Sequence, residues 1–492
     1  MTNKQTTALV IILLYMAATV AIGLFIFSRK KKKTEKQSSE DFLMAGKSLG
    51  PLVLAGTLFA ANTGGASTTG VANNVYQYGL SAGWYVIAGG IGFIIVSFVA
   101  PYFRRAQANT VPEIIGMRFG KASHLFTAAT SILALFMATG AQIIATASII
   151  NVVTGLDFNT AAIISTIVVI IYTMVGGFTS VTATNMMHVF FITVGMAISM
   201  FIIVNSSAVG GFSQLIETAK GVTGASGENL NLLSMTKVGA TTIIGYIAMY
   251  AMTFPTGQEI VQTFSSAQSG ETAKLGSIIA GVISAVYAMV PAVIGLVAYS
   301  YIDGFAAGGP QTNALAAATL EFAPPVVAGI VLASIVAATM SSASGNMIGT
   351  ATMVSNDIYR PYISKGVRDD NKEVWISRIT MIAAGLVGLG VALTSSNIIS
   401  VMMSAFALRS AGPFAAFVCG IYYKDATHRA GFVSIVTGTI VAAIWIFALN
   451  SPWGLSAIVP GGIVAFIAMF IVSKIDKSLG IEPAKPIHLE AE

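Results

Sequence analysis

Charge is what this chain has least of. Its 492 residues include 26 Lys and Arg and 20 Asp and Glu, so charged side chains make up 9% of a sequence that is 55% hydrophobic. A soluble globular domain carries about 25% charge. The shortfall excludes an ordinary soluble fold and predicts an all-α polytopic membrane protein. Cysteine is nearly absent: Cys419 stands alone in an apolar segment, which excludes an internal disulfide. The histidines, His124, His188, His428 and His488, are scattered. There is no Gly-x-x-x-x-Gly-Lys-Ser/Thr phosphate loop, no His-Glu-x-x-His and no Cys cluster. A nucleotide-driven pump, an intramembrane protease or a lipid-modifying enzyme normally needs one of these, so no enzyme is expected. Transport driven by an ion gradient needs none.

Apolar length is abundant. Thirteen runs near the length of about 20 residues that crosses a bilayer core lie at 7–28, 49–75, 83–103, 125–153, 158–176, 185–206, 239–264, 275–300, 322–352, 376–394, 397–421, 429–449 and 455–474. The first reads as a retained anchor, because the basic cluster follows it and no small-residue cleavage site is clear. With the N-terminus outside, 22 of the 26 Lys and Arg fall on inner connections. These are the run at 29–33 with Lys36 and Lys47, then Arg104, Arg105, Arg118 and Lys121, then Lys274, then Arg360, Lys365, Arg368, Lys372 and Arg378, then Lys424 and Arg429, and finally Lys474, Lys477 and Lys485. Outside there would be only Lys4, Lys220 and Lys237, while Arg409 falls within a span. This asymmetry predicts about 13 transmembrane helices with the N-terminus outside and the C-terminus inside. It also explains the net charge of +6 without a nucleic-acid partner. The cluster at 29–33 is expected at anionic lipid of the inner leaflet, where each charge contributes about 1 kcal/mol.

Polar interruptions organise the rest. Residues 58–70 read Leu-Phe-Ala-Ala-Asn-Thr-Gly-Gly-Ala-Ser-Thr-Thr-Gly. Two neighbouring glycines weaken a helix by about 1 kcal/mol each, and irregular backbone in a membrane is tolerated only where it lines a cavity or is buried in protein. This break is expected to form one wall of an ion and substrate site. The seventh span holds Thr253-Phe254-Pro255-Thr256-Gly257-Gln258-Glu259, a second break, unless Pro255 is only a kink. A broken helix early in one set of five spans, paired with another five spans later, is the pattern of inverted-repeat transporters. The expected organisation is an extra helix and basic loop over 1–48, a first five-helix repeat over 49–206 and an outer connection over 207–238 with a short surface helix at 212–220. A second repeat over 239–421, two further helices over 422–478 and an inner tail over 479–492 complete it. A third interruption is expected in the ninth span at 337–344. There Ala338, Ser341 and Ser342 share one helix face. Two hydroxyls beside a carbonyl freed by bending, with carbonyls from the first break, supply about five oxygens and suit sodium. The alternative is that Ser and Ala merely let helices approach closely.

Asp41-Phe42-Leu43 with Gly46-Lys47-Ser48-Leu49-Gly50-Pro51, then Tyr172-Thr173-Met174-Val175-Gly176-Gly177-Phe178, the 337–342 stretch and Asn356-Asp357-Ile358-Tyr359 follow in order along the chain. In that order and spacing the sequence resembles the sodium:solute symporter family from about residue 7 to 475. The resemblance implies a LeuT-like core of two inverted five-helix repeats, with one extra helix before it and two after. It implies a cell-membrane symporter of a small organic solute with sodium as the coupling ion. The sodium ligands it implies are the carbonyls of Ala60, Thr63 and Ala338 and the hydroxyls of Ser341 and Ser342. A second sodium site found in some members would need a carboxylate and a serine where this chain has Asn185 and Gly345, beside Ser344. One sodium per cycle is therefore expected. By the same similarity the solute would touch Asn62, Thr63, Gly65 and Thr68, Gln77 at the outer rim, Gln142, and Phe254, Thr256 and Gln258 opposite, with Trp84, Tyr85 and Tyr250 as candidate gates. Arg409 departs from the family pattern. A buried arginine costs at least about 2.5 to 3.5 kcal/mol on insertion scales, so it is expected to hold either a substrate carboxylate or Glu259. An amino acid or organic carboxylate is favoured over a sugar or sialic acid. The rival readings are a channel or solute sensor on the same helices, and a proton in place of sodium.

Overall fold

The computed structural model describes residues 2–33, 49–105, 110–367, 369–395 and 397–485, without the side chains of 23–33, 175–186 and 453. The motif residues Asp41, Phe42, Leu43, Gly46, Lys47 and Ser48, with Lys36 and Arg368, lie outside the described residues. So do the side chains of the basic cluster at 29–33 and of Asn185.

Regular structure among the described residues is helical. Nine of these helices are long and apolar enough to cross a membrane, and a tenth is made if the bent pair Ile398–Ser410 and Pro413–Tyr422 counts as one. Large apolar side chains face outward, with Phe98, Ile171, Val286 and Phe447 more than half exposed, as a lipid-facing surface requires. Helix ends follow their caps. Thr110 accepts from Glu113 N at 3.1 Å and opens the helix run Val111–Thr154 in a capping-box pattern. Gly155, at φ 75°, takes the left-handed conformation that closes it. Within that run Gly120 has φ 83° and ψ 179°, so the run is two helices meeting at this residue.

The expected fifth and sixth spans lie along one helical course, Phe158–Phe190, a π turn at Phe191–Gly195 and Met196–Val204. The expected short surface helix forms at Phe212–Lys220. Both principal breaks form. The helix Pro51–Asn62 stops at Thr63 and resumes through a π turn, Ala66–Gly70, into Val71–Tyr78. Ala240–Thr253 gives way to a 3-10 turn, Phe254–Thr256, an extended Gly257 and then Gln258–Ser265.

The third expected interruption does not form. Residues 337–344 lie within one uninterrupted α-helix, Pro325–Met353. Two of its hydroxyls return to their own helix, Thr339 to Val336 O at 2.8 Å and Ser344 to Ser341 O at 2.8 Å, and Ser342 reaches a neighbouring segment, so the polar run needs no break to satisfy it. Arg118, read as a loop residue, is buried; it donates to the carbonyls of Gly420 and Tyr423, where a cation complements the end of the helix Pro413–Tyr422.

Candidate ion and solute site

The first break and the serine-bearing helix meet in the protein interior. Ser342 Oγ donates to the carbonyl of Ala60 at 3.1 Å and lies 3.3 Å from that of Ala61. A hard cation of this size class holds oxygens at about 2.3–2.6 Å, which sets neighbouring ligands about 3 to 3.5 Å apart. The Ser342 hydroxyl and Ala60 carbonyl already have the spacing of two corners of such a shell. Thr63 Oγ1 is buried without a hydrogen-bond partner, and the Thr63 amide returns to Phe59 O at 2.8 Å. Ser341 and Ala338 are buried beside Ser342 on the same helix face. Because that helix is unbroken, the Ala338 carbonyl sits in regular helix and is not freed by bending.

Gln142 holds the far end of the break. Its Oε1 accepts from Gly65 N at 2.7 Å, while Thr68 Oγ1 donates to Gly64 O at 2.8 Å. Gly64 is required by close approach. A Cβ there would fall 2.4 Å from Gln142 Oε1 and 2.7 Å from Ser342 Oγ. Gly64→Ala is expected to cost about 1 to 3 kcal/mol through overpacking, read as a lowered unfolding temperature of the purified protein. An unchanged unfolding temperature would contradict this packing.

A void of about 20 Å³ lies against the break, lined by Asn62, Gln142, Phe254, Glu259, Asn346 and Phe406 among others. It has room for roughly one water. Asn62 Nδ2 is buried there without a partner. Phe254, from the second break, stacks on Phe93 with centroids 4.2 Å apart. Above it Tyr250 and Tyr85 pack at 5.5 Å, and Tyr85 meets Tyr246 at 5.5 Å. Tyr246 also lines a separate outer cleft of about 240 Å³, with Gln77, Asn74, Asn397 and Ser400. A tyrosine layer thus separates cleft from void. Of the candidate gates, Tyr85 and Tyr250 belong to this layer, whereas Trp84 Nε1 bonds to Met235 O at 3.0 Å in the 207–238 connection.

Not every expected solute contact reaches the void. Gln77 is exposed in the outer cleft. Thr256 lies one layer away, its hydroxyl 2.9 Å from Met252 O and 2.8 Å from Ser410 Oγ. Gln258 turns from the void and accepts from Val111 N at 3.1 Å. Arg409 makes a two-pronged pair with Glu259, Nη1 to Oε2 at 2.8 Å and Nη2 to Oε1 at 2.7 Å. Its Cζ lies 4.9 Å from the Phe406 ring centroid.

Residues not singled out from the sequence as parts of the site include Ser410, Met402, Phe406 and Asn346. Ser410, Met402 and Phe406 belong to Arg409's own helix, Ile398–Ser410, where no motif marks them. Asn346 carried a readable signal, since it follows Ser342 by one helical turn and so shares its face.

The sodium:solute symporter family model matches residues 42–438. The chain is 25% identical over 500 residues to the osmoregulated proline transporter OpuE of Bacillus subtilis, covering 96% of this chain and 94% of that one. It is 27% identical over 450 residues to a sodium/glucose cotransporter of Vibrio parahaemolyticus, covering 86% and 82%. The structure of a Na+-coupled sialic acid symporter in a substrate-bound outward-open state has the same fold, with a TM-score of 0.81 at 20% identity, covering 98% of this chain and 99% of that chain.

Proposed function

The chain belongs to the sodium:solute symporter family, and we propose that it couples the inward movement of one sodium ion to that of one small organic solute by alternating access. Sodium-coupled solute symport across a membrane is the function the family carries. The number of ions, the residues and the direction are our reading.

The observation that carries the site is the Ser342 hydroxyl 3.1 Å from the Ala60 carbonyl, a contact between segments 282 residues apart. Sodium would be held by the carbonyls of Ala60, Thr63 and Ala338 and the hydroxyls of Ser341 and Ser342. All are neutral oxygens, so the set has no carboxylate that could take up a proton in place of the sodium ion. Binding would fix the broken helix against the serine-bearing helix. Asn62, Gly65, Thr68, Gln142 and Phe254 would then present the inner solute surface, with Gln77 on the way in and Thr256 and Gln258 holding the second break. Of the two roles open to Arg409, the ion pair with Glu259 is the one its geometry supports.

One sodium per cycle is supported by Gly345, which offers no hydroxyl, and by Asn185, which offers no carboxylate. We infer thirteen spans in two inverted repeats; their alternation of connections between two sides is supported by which connections touch, while the N-terminus outside rests on the Lys and Arg asymmetry. Segments assigned inside meet each other, Arg104 donating to Ala267 O at 2.8 Å and Lys477 pairing with Asp425 at 3.2 Å. On the assigned outer side, Ala225 N donates to Tyr76 Oη at 3.1 Å.

A sodium ion moving through about 100 mV gains about 2.3 kcal/mol, and a tenfold gradient adds about 1.4 kcal/mol. Together they sustain roughly a 500-fold accumulation of a neutral or zwitterionic solute. In proteoliposomes, uptake from a panel of amino acids, carboxylates and sugars is expected to run uphill only with an inward sodium gradient. Equal accumulation with potassium or protons in place of sodium would overturn the assignment.

A further inference from the structure

One residue at the centre has no assigned role. Asn346 is 6% exposed, lies one helical turn beyond Ser342 and puts its side chain on the same small void as Asn62 and Glu259. We propose that Asn346 is a specificity-determining residue that, with Asn62 and Glu259, receives the charged head of a small amino or imino acid. This deepens the symport reading above and rests on it.

The charge arrangement selects the chemistry. Glu259 is the charged side chain in the void lining. Its two oxygens each accept one Arg409 Nη–H, and a carboxylate oxygen has capacity for a further donor. The guanidinium stands behind that carboxylate and is not part of the lining. A bare organic anion entering here would meet Glu259 before Arg409, and like charges at such range repel. An ammonium group meets an acceptor. Its own carboxylate then needs donors, and Asn62 Nδ2 is a buried N–H group without a partner. A carboxamide such as that of Asn346 both donates and accepts, so it bridges the two ends of a zwitterion. Of the remaining wall, Phe254, Met402 and Phe406 are apolar, while Gln142 has its Oε1 engaged by Gly65 N. The void holds about one water as it stands, so the solute enters only as alternating access parts the tyrosine layer, and the apolar side chains then suit a short aliphatic side chain or a pyrrolidine ring.

The test uses the full-length protein in proteoliposomes with radiolabelled alanine and proline as probes. Unlabelled propionate, lactate and glucose serve as competitors in 100-fold excess. Sodium-driven uptake of at least one amino or imino acid is expected, with less than 20% inhibition by any competitor. Asn346→Ala is expected to raise the KM at least tenfold while shifting the sodium concentration for half-maximal uptake less than twofold. A merely structural role would move both together or neither. A KM within twofold of the unsubstituted protein overturns the proposal, as does a carboxylate or sugar that is carried or that competes fully. If Asn346→Ala does not fold, Asn346→Ser and the competition panel on the unsubstituted protein decide. Sodium-driven uptake of a carboxylate or sugar alone refutes this inference and leaves symport standing. Uptake indifferent to sodium refutes symport itself.

Discussion

Replacing Ser341 and Ser342 together with alanine is expected to raise the sodium concentration for half-maximal uptake at least tenfold. The double substitution removes two of five proposed ligands from an ion that has no carboxylate to fall back on. It also deprives the Ala60 and Ala61 carbonyls of the Ser342 hydroxyl, which lies 3.1 and 3.3 Å from them. Tenfold corresponds to about 1.4 kcal/mol, a modest demand on two buried oxygens when a hydrogen bond to a charged group contributes about 1.5 to 3 kcal/mol. The single change at Ser342 is expected to carry a large part of the effect, because its hydroxyl reaches the broken helix directly. A sodium titration of uptake at fixed solute concentration measures this. An unchanged sodium requirement would reject both hydroxyls as ligands.

How far the site can be read from the sequence depends on how local its causes are. The break after Asn62 and the break at Phe254 to Gly257 were legible, because adjacent glycines and a Pro-x-Gly step disfavour helix whatever surrounds them. The short helix Phe212–Lys220 also forms where it was expected. The expected interruption near Ser341 failed on a local competition that residue types alone do not decide. A Ser or Thr hydroxyl can either leave the helix or bond back to it, and here Thr339 and Ser344 bond back. Long-range placement was the harder part. Gln258 was expected at the solute from the family resemblance. The packed chain instead brings up the amide of Val111 from 147 residues away to claim it. Asn346 shares the helix face of Ser342, a signal the sequence carries, but its place in the site appears only once the void puts it beside Asn62 and Glu259.

The ion pair carries the largest expected cost to stability. Arg409 is 2% and Glu259 11% exposed, and they join the helix Ile398–Ser410 to the segment immediately after the second break. Removing one partner of a buried pair strands the other charge and typically costs about 3 to 5 kcal/mol. Arg409→Gln is expected to lower the unfolding temperature of the detergent-solubilised protein markedly, and Glu259→Gln to do the same. The double variant, Arg409→Gln with Glu259→Gln, strands no charge, so its loss should be smaller than the sum of the two, leaving a coupling energy of the size seen for contacting residues, about 0.5 to 3 kcal/mol. The same three variants separate the roles open to Arg409. If it serves Glu259, Arg409→Gln and the double variant differ clearly in stability. If instead it held the solute carboxylate, the single change would abolish uptake with little loss of stability, and adding Glu259→Gln would change the unfolding temperature by no more than Glu259→Gln does alone. Additive losses in the thermal unfolding cycle would therefore reject the pair as the reason a guanidinium is tolerated at this depth.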